Sequence, residues 1–146
     1  MRSVWSQRML LLTLFILIDY IITLLLVSYP GEEANVLARS FMETFGIPFG
    51  LTIFSLLVNL PIFLVLGLLA LCPRYLSFTQ SAFATPGLDV AFAWFVAGTH
   101  FNGALSWIVP GPSLLYQITG AALYLDIIFV ISIRRRRRST EFNGQN

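Results

Sequence analysis

Met9–Tyr29 reads MLLLTLFILIDYIITLLLVSY, and this stretch decides the fold. A helix that crosses a bilayer needs about 20 apolar residues, and this run supplies them. One residue interrupts it near the middle, Asp19. A carboxylate at that depth costs about 2.5–3.5 kcal/mol on insertion scales, so something in the folded chain has to offset it. Arg2 and Arg8 precede the run. The run exceeds the apolar core of a signal peptide and shows no small-x-small cleavage site before Pro30, so it reads as a retained helix.

Three further apolar segments follow, about Ile47–Cys72, Leu88–Val109 and Leu114–Ile133. Pro48 suits the first turn of the second, and Pro61 inside it removes a backbone bond and predicts a kink. Thr85-Pro86 reads as a cap and first position for the third. Pro110-Gly111-Pro112 marks a tight turn before the fourth. The stretch between Pro30 and Gly46 reads as a polar loop.

The whole chain of 146 residues is 57% hydrophobic and 11% charged, with mean hydropathy +0.80. A soluble domain of this size could not cover such a surface. The expected fold is therefore all-α, an integral membrane bundle of four transmembrane helices over residues 1–138. Residues 139–146 read as a disordered polar tail. Eight of the nine basic residues, all arginines, fall on one side if both termini face the cytoplasm, and only Arg39 falls outside. Positive loops stay inside, so the expected topology is N-in and C-in at the cell membrane.

Depth along each helix follows from a rise of about 1.5 Å per residue. On that rule Asp19 lies ~16 Å from the inner end, Thr23 ~22 Å, Asn59 ~20 Å, His100 ~18 Å and Asn102 ~21 Å. These residues form a midplane layer that must bond internally or line a wet cavity. His100 and Asn102 are about 200° apart on an ideal helix and cannot share one partner. The sharper reading pairs Asp19 with His100 as a proton carrier or an acid–base couple. The plainer one makes the layer interhelical hydrogen bonds that set packing.

Asp126, ~10 Å from the inner end by the same rise, either extends a proton path inward or pairs with an arginine. Asp89 in a first helical turn suits the helix dipole. Glu32, Glu33 and Asn35 form an acidic outer rim, either a solvated loop or a weak cation lure. Arg134, Arg135, Arg136, Arg137 and Arg138 read as a topology anchor that touches anionic lipid at the cytoplasmic face. Gly46 and Gly50 have small-xxx-small spacing, for packing or for a loose helix start.

A single cysteine, Cys72, excludes an internal disulfide or dithiol, and a single histidine excludes a bis-histidine haem. No G-x-S-x-G, P-loop or H-E-x-x-H pattern is present. No cofactor, metal or nucleic acid is expected.

Asp19 and Thr23, followed by Glu33-Ala34-Asn35 and Gly46, carry a resemblance. The first third of the chain resembles a family of small prokaryotic membrane proteins classed only as a domain of unknown function. Its signature is D-x-x-x-T in a first helix, then E-x-N, usually followed by proline; here Val36 takes that place. The resemblance marks Asp19, Thr23, Glu33 and Asn35 and implies no activity.

Three functions stay open from sequence. The first is a non-catalytic membrane subunit or assembly factor with a membrane protein partner or as a homo-oligomer. The second is a small oligomeric proton-linked carrier or channel. The third is an intramembrane acid–base enzyme.

Overall fold

The computed structural model describes residues 4–71 and 84–143. The Cys72-Pro73 helix stop, Arg2, the Arg74 loop and residues 144–146 lie outside that range. All regular structure among the described residues is helical. α1 spans Val4–Leu26, α2 Val36–Phe45, α3 Ile47–Leu71, α4 Ala84–Phe92, α5 Thr99–Ser106 and α6 Ser113–Asn143. A π-helical turn, Ala93–Gly98, joins α4 to α5 without a break. α4 starts at Ala84, one residue ahead of the expected cap at Thr85.

Three helices are long and apolar enough to cross a membrane, over Trp5–Leu26, Ile47–Leu68 and Ser113–Arg134. Apolar side chains such as Leu10, Leu25, Leu56, Leu64 and Phe129 stand exposed on the outer faces. Polar Arg8, Thr23, Asn59 and Asp89 are buried instead. That inversion suits a hydrocarbon surround, where polar groups must be satisfied internally.

α2 is the departure from the expected polar loop. The Asn35 side chain accepts hydrogen bonds from the backbone N–H of Leu37 (3.0 Å) and Ala38 (3.3 Å), which caps the helix. Ala38 and Met42, one turn apart, bury against Val27 and Leu51. Gly46 then reverses the chain at φ +81°, a conformation that glycine adopts freely. A Cβ on Gly50 would lie 2.3 Å from the Phe41 carbonyl oxygen, so α2 folds back tightly onto α3. Pro61 sits inside α3, which stays helical through it.

Two apolar clusters hold the bundle. One joins Leu12, Phe15, Leu66, Val96 and Tyr124 at the α4 end. The other joins Val27, Ala38, Met42 and Leu51 at the α2 end, with Tyr20, Phe54 and Trp107 packed against it. Asp19, Asn59 and His100 fall between these clusters on their respective helices.

Candidate functional site: a carboxylate, imidazole and amide between three helices

α1, α3 and α5 each contribute one side chain. His100 Nδ1 stands 2.7 Å from Asp19 Oδ2, and His100 Nε2 stands 3.1 Å from Asn59 Oδ1. Both ring nitrogens are therefore engaged. The expected pairing of Asp19 with His100 is present as direct contact, and Asn59 joins it from the other side of the ring.

Asn59 fixes the proton positions. Its Nδ2 donates to the Ser55 backbone carbonyl at 2.9 Å. A carbonyl only accepts, so the amide nitrogen must face Ser55 and Oδ1 must face the ring. Nε2 must then carry a hydrogen to donate to Oδ1. At the other nitrogen, a contact of 2.7 Å between two lone-pair atoms requires a proton between them. The site thus holds one proton on Nε2 and a second shared by Nδ1 and the carboxylate. Whether written as imidazolium with carboxylate or as imidazole with carboxylic acid, its net charge is zero.

Local structure sets this geometry. Asn59 is 2% exposed, held on the bundle side of α3. Gly103, one turn beyond His100, lets α5 approach the carboxylate; a Cβ there would lie 2.5 Å from Asp19 Oδ1. The π turn ends immediately before Thr99 and His100. Such turns widen a helix and often mark functional sites. Its displaced Trp94 carbonyl accepts from Gln117 Nε2 on α6 and from Thr99 Oγ1, each at 3.4 Å.

A second polar contact sits near the start of α1. Arg8 Nε donates to Asp89 Oδ1 and Nη2 to Oδ2, both at 2.5 Å. The guanidinium carbon lies 5.0 Å from the Trp5 ring centroid. Asp89, expected in a first helical turn, lies beyond the first turn of α4, which starts at Ala84 and has no acidic residue there; its partner is the Arg8 guanidinium instead of the helix dipole. The Tyr124 hydroxyl is buried without a hydrogen-bond partner among the described residues.

No known family model, curated protein or solved structure matches the chain.

The remaining singled-out residues divide. Thr23 is buried on α1, on the face of Asp19. Asn102 stays apart from the triad, and its Oδ1 is buried without a partner among the described residues. Asp126 is exposed. Glu33 and Asn35 shape the start of α2: Glu33 Oε1 accepts from the Asn35 N–H at 2.8 Å, and the Glu33 carbonyl accepts from Arg39 Nη2 at 2.6 Å. Burial raises the Glu33 pKa above the usual carboxylate value; the Asn35 N–H pulls it down, the Asp19 charge pushes it up, and Arg39 and the Ala34 N–H pull it down. Arg134 is exposed within α6, and Arg135 to Arg138 continue that helix.

Proposed function

We propose that this chain is a small multi-pass membrane protein performing proton-linked transport, with Asp19, His100 and Asn59 as its proton-holding element. The observation that carries this reading is the 2.7 Å contact between His100 Nδ1 and Asp19 Oδ2, with Nε2 of the same ring against Asn59 Oδ1. A carboxylate and an imidazole in contact inside an apolar bundle can lose and regain one proton without any other bond changing. Interhelical packing alone needs no ionisable group at that depth, because neutral amides and hydroxyls hydrogen-bond equally well there.

In this reading Ala84–Ser106 is the fourth span, running beside α1, and both termini face the cytoplasm by the arginine bias. Arg134 to Arg138 then meet anionic lipid at that face. Four helices enclose little space, so the working unit is a homo-oligomer or a complex.

A non-catalytic membrane subunit or assembly factor is the second reading. It is favoured by α3, which packs chiefly on α1 and α2 and leaves Leu56, Leu57, Leu60 and Leu64 exposed for a partner helix. An acid–base enzyme has less support, because both His100 nitrogens already face protein partners.

Proteoliposomes loaded with a pH-sensitive dye separate these readings. Under an inside-negative potential or an outward gradient of an organic monovalent cation, wild-type protein should take up protons well above empty liposomes, and folded Asp19→Asn should fall to that background. Equal uptake by the two proteins, or none by wild type, would defeat the transport reading.

A further inference from the structure

A cleft between α1, α5 and α6 reaches the apolar edge of the His100 ring, with Asp19 behind it and not in the wall. Its volume is about 220 Å³, and Phe15, Ile18, His100, Phe101, Ala104 and Ile127 are among the residues lining it. The accessible wall is apolar. A closed apolar cavity of about 150 Å³ already holds a benzene ring, so this cleft has room for one ring and a small substituent. Leu14 and Ile18 on its rim are 52% and 44% exposed, which leaves it open to whatever surrounds the bundle.

Charge selects what would bind there. With its shared proton the Asp19–His100 pair is neutral. Without that proton it carries one negative charge in apolar surroundings, where an uncompensated charge is costly. Two acceptors also then face each other, either at Nδ1 and Asp19 or at Nε2 and Asn59. A monovalent cation beside His100 would restore neutrality. Phe15 and Phe101 line the cleft beside His100, their rings packed on each other with centroids 6.4 Å apart. Cations are attracted to aromatic faces within about 6 Å of the centroid.

Resting on the proton-linked reading, we propose that this cleft binds a lipophilic monovalent cation about one aromatic ring in size, in exchange for the proton shared by Asp19 and His100. The bond to the shared proton breaks, the proton leaves to water, and the cation takes its place as counter-charge. No electrons move.

The probe is radiolabelled benzyltrimethylammonium, with neopentylbenzene as its uncharged carbon isostere, added to purified full-length protein in detergent. The cation should bind with release of one proton per site. Its apparent affinity should rise about tenfold per pH unit while the free site holds its proton, as linkage requires. The isostere should release none. Asp19→Asn should lose both cation binding and proton release. Ile18→Trp, which fills the rim, should lose cation binding while keeping the wild-type ¹⁵N spectrum of His100. Cation binding without proton release, or equal binding by Asp19→Asn, would overturn the exchange. Asp19-dependent proton uptake by liposomes with no cation binding would overturn this inference and leave the transport reading standing. Proton-releasing cation binding with no liposome uptake would support the site and defeat transport.

Discussion

Arg8 and Asp89 face each other through two parallel hydrogen bonds, with only 4% and 8% of their surfaces exposed. Their register recurs at Asp19 and His100: both pairs are separated by 81 residues in the chain. A constant separation means that α1 and the α4–α5 run point the same way. Along α1, Arg8 and Asp19 are eleven residues apart, about three turns, so both lie on one face. Two polar cross-links thus pin one helix pair, with the apolar cluster of Leu12, Phe15, Phe92 and Val96 between them.

Breaking the first cross-link on one side only should be costly. Arg8→Met strands a buried carboxylate, and removing one partner of a buried pair costs about 3–5 kcal/mol. The double variant Arg8→Met with Asp89→Leu should recover most of that loss, because neither charge is then left buried. Chemical unfolding in detergent reads both. A double variant as unstable as Arg8→Met would show that the pair is not the main source of the effect.

Gly103 tests how closely α5 must approach Asp19. In Gly103→Ala the new methyl group would lie 2.5 Å from Oδ1 and 2.9 Å from Oδ2. The carboxylate has to swing, and its contact with His100 has to open. Overpacking of this kind costs about 1–3 kcal/mol, and proton uptake should fall toward that of Asp19→Asn. Gly67→Ala is the control, since nothing lies within 4 Å of its Cβ position; it should gain about 0.5–1 kcal/mol from helix propensity. If Gly103→Ala keeps full stability and uptake, the close approach is not required.

Depth by residue count was enough to bring Asp19, His100 and Asn59 to one level, because each sits in a long apolar helix with a constant rise. The angular argument also kept Asn102 away from His100. Arg8 with Asp89 was missed because Arg8 read as flanking the first span, whereas α1 begins at Val4 and takes it inside. Stepping back eleven residues from Asp19 and from His100 would have found it. α2 was missed because Glu33, Asn35, Arg39 and Glu43 made the segment look like a loop. The signal was there in Ala38 and Met42, one turn apart, with Asn35 as cap. The π turn had no signal in the sequence; it lies against α6, where a Cβ on Gly98 would come 2.6 Å from the Gln117 carbonyl oxygen.

Glu33 offers a pH test outside the spans. Its folded-state pKa is raised, chiefly by burial. The sign follows directly: its stabilising contribution is present below the unfolded value of about 4.3 and is lost as pH rises through the folded value. Glu33→Gln keeps an oxygen for the Asn35 N–H and cannot ionise. At pH 7 it should melt slightly above wild type, and at pH 4 the two should coincide. A wild type that melts higher than Glu33→Gln at pH 7 would reverse the assigned direction.

His100 is the only histidine in the chain, so ¹⁵N-histidine labelling reports on it alone. The Asn59 orientation requires a hydrogen on Nε2. The wild-type spectrum at neutral pH should therefore show Nε2 protonated, with Nδ1 carrying or sharing the second proton. Asn59→Leu removes the acceptor and strands the Nε2–H group in apolar surroundings. An unsatisfied buried donor costs about 1–3 kcal/mol, which the site can avoid while staying neutral by passing that hydrogen to Asp19, so that Nδ1–H faces a carboxylic acid. Nε2 should then lose its proton signal in the variant, with the ring hydrogen kept on Nδ1. Asn59→Asp keeps an acceptor in place and should hold Nε2 protonated. Identical spectra for wild type and Asn59→Leu would mean that Asn59 does not set the tautomer, and the charge argument for the site would fail with it.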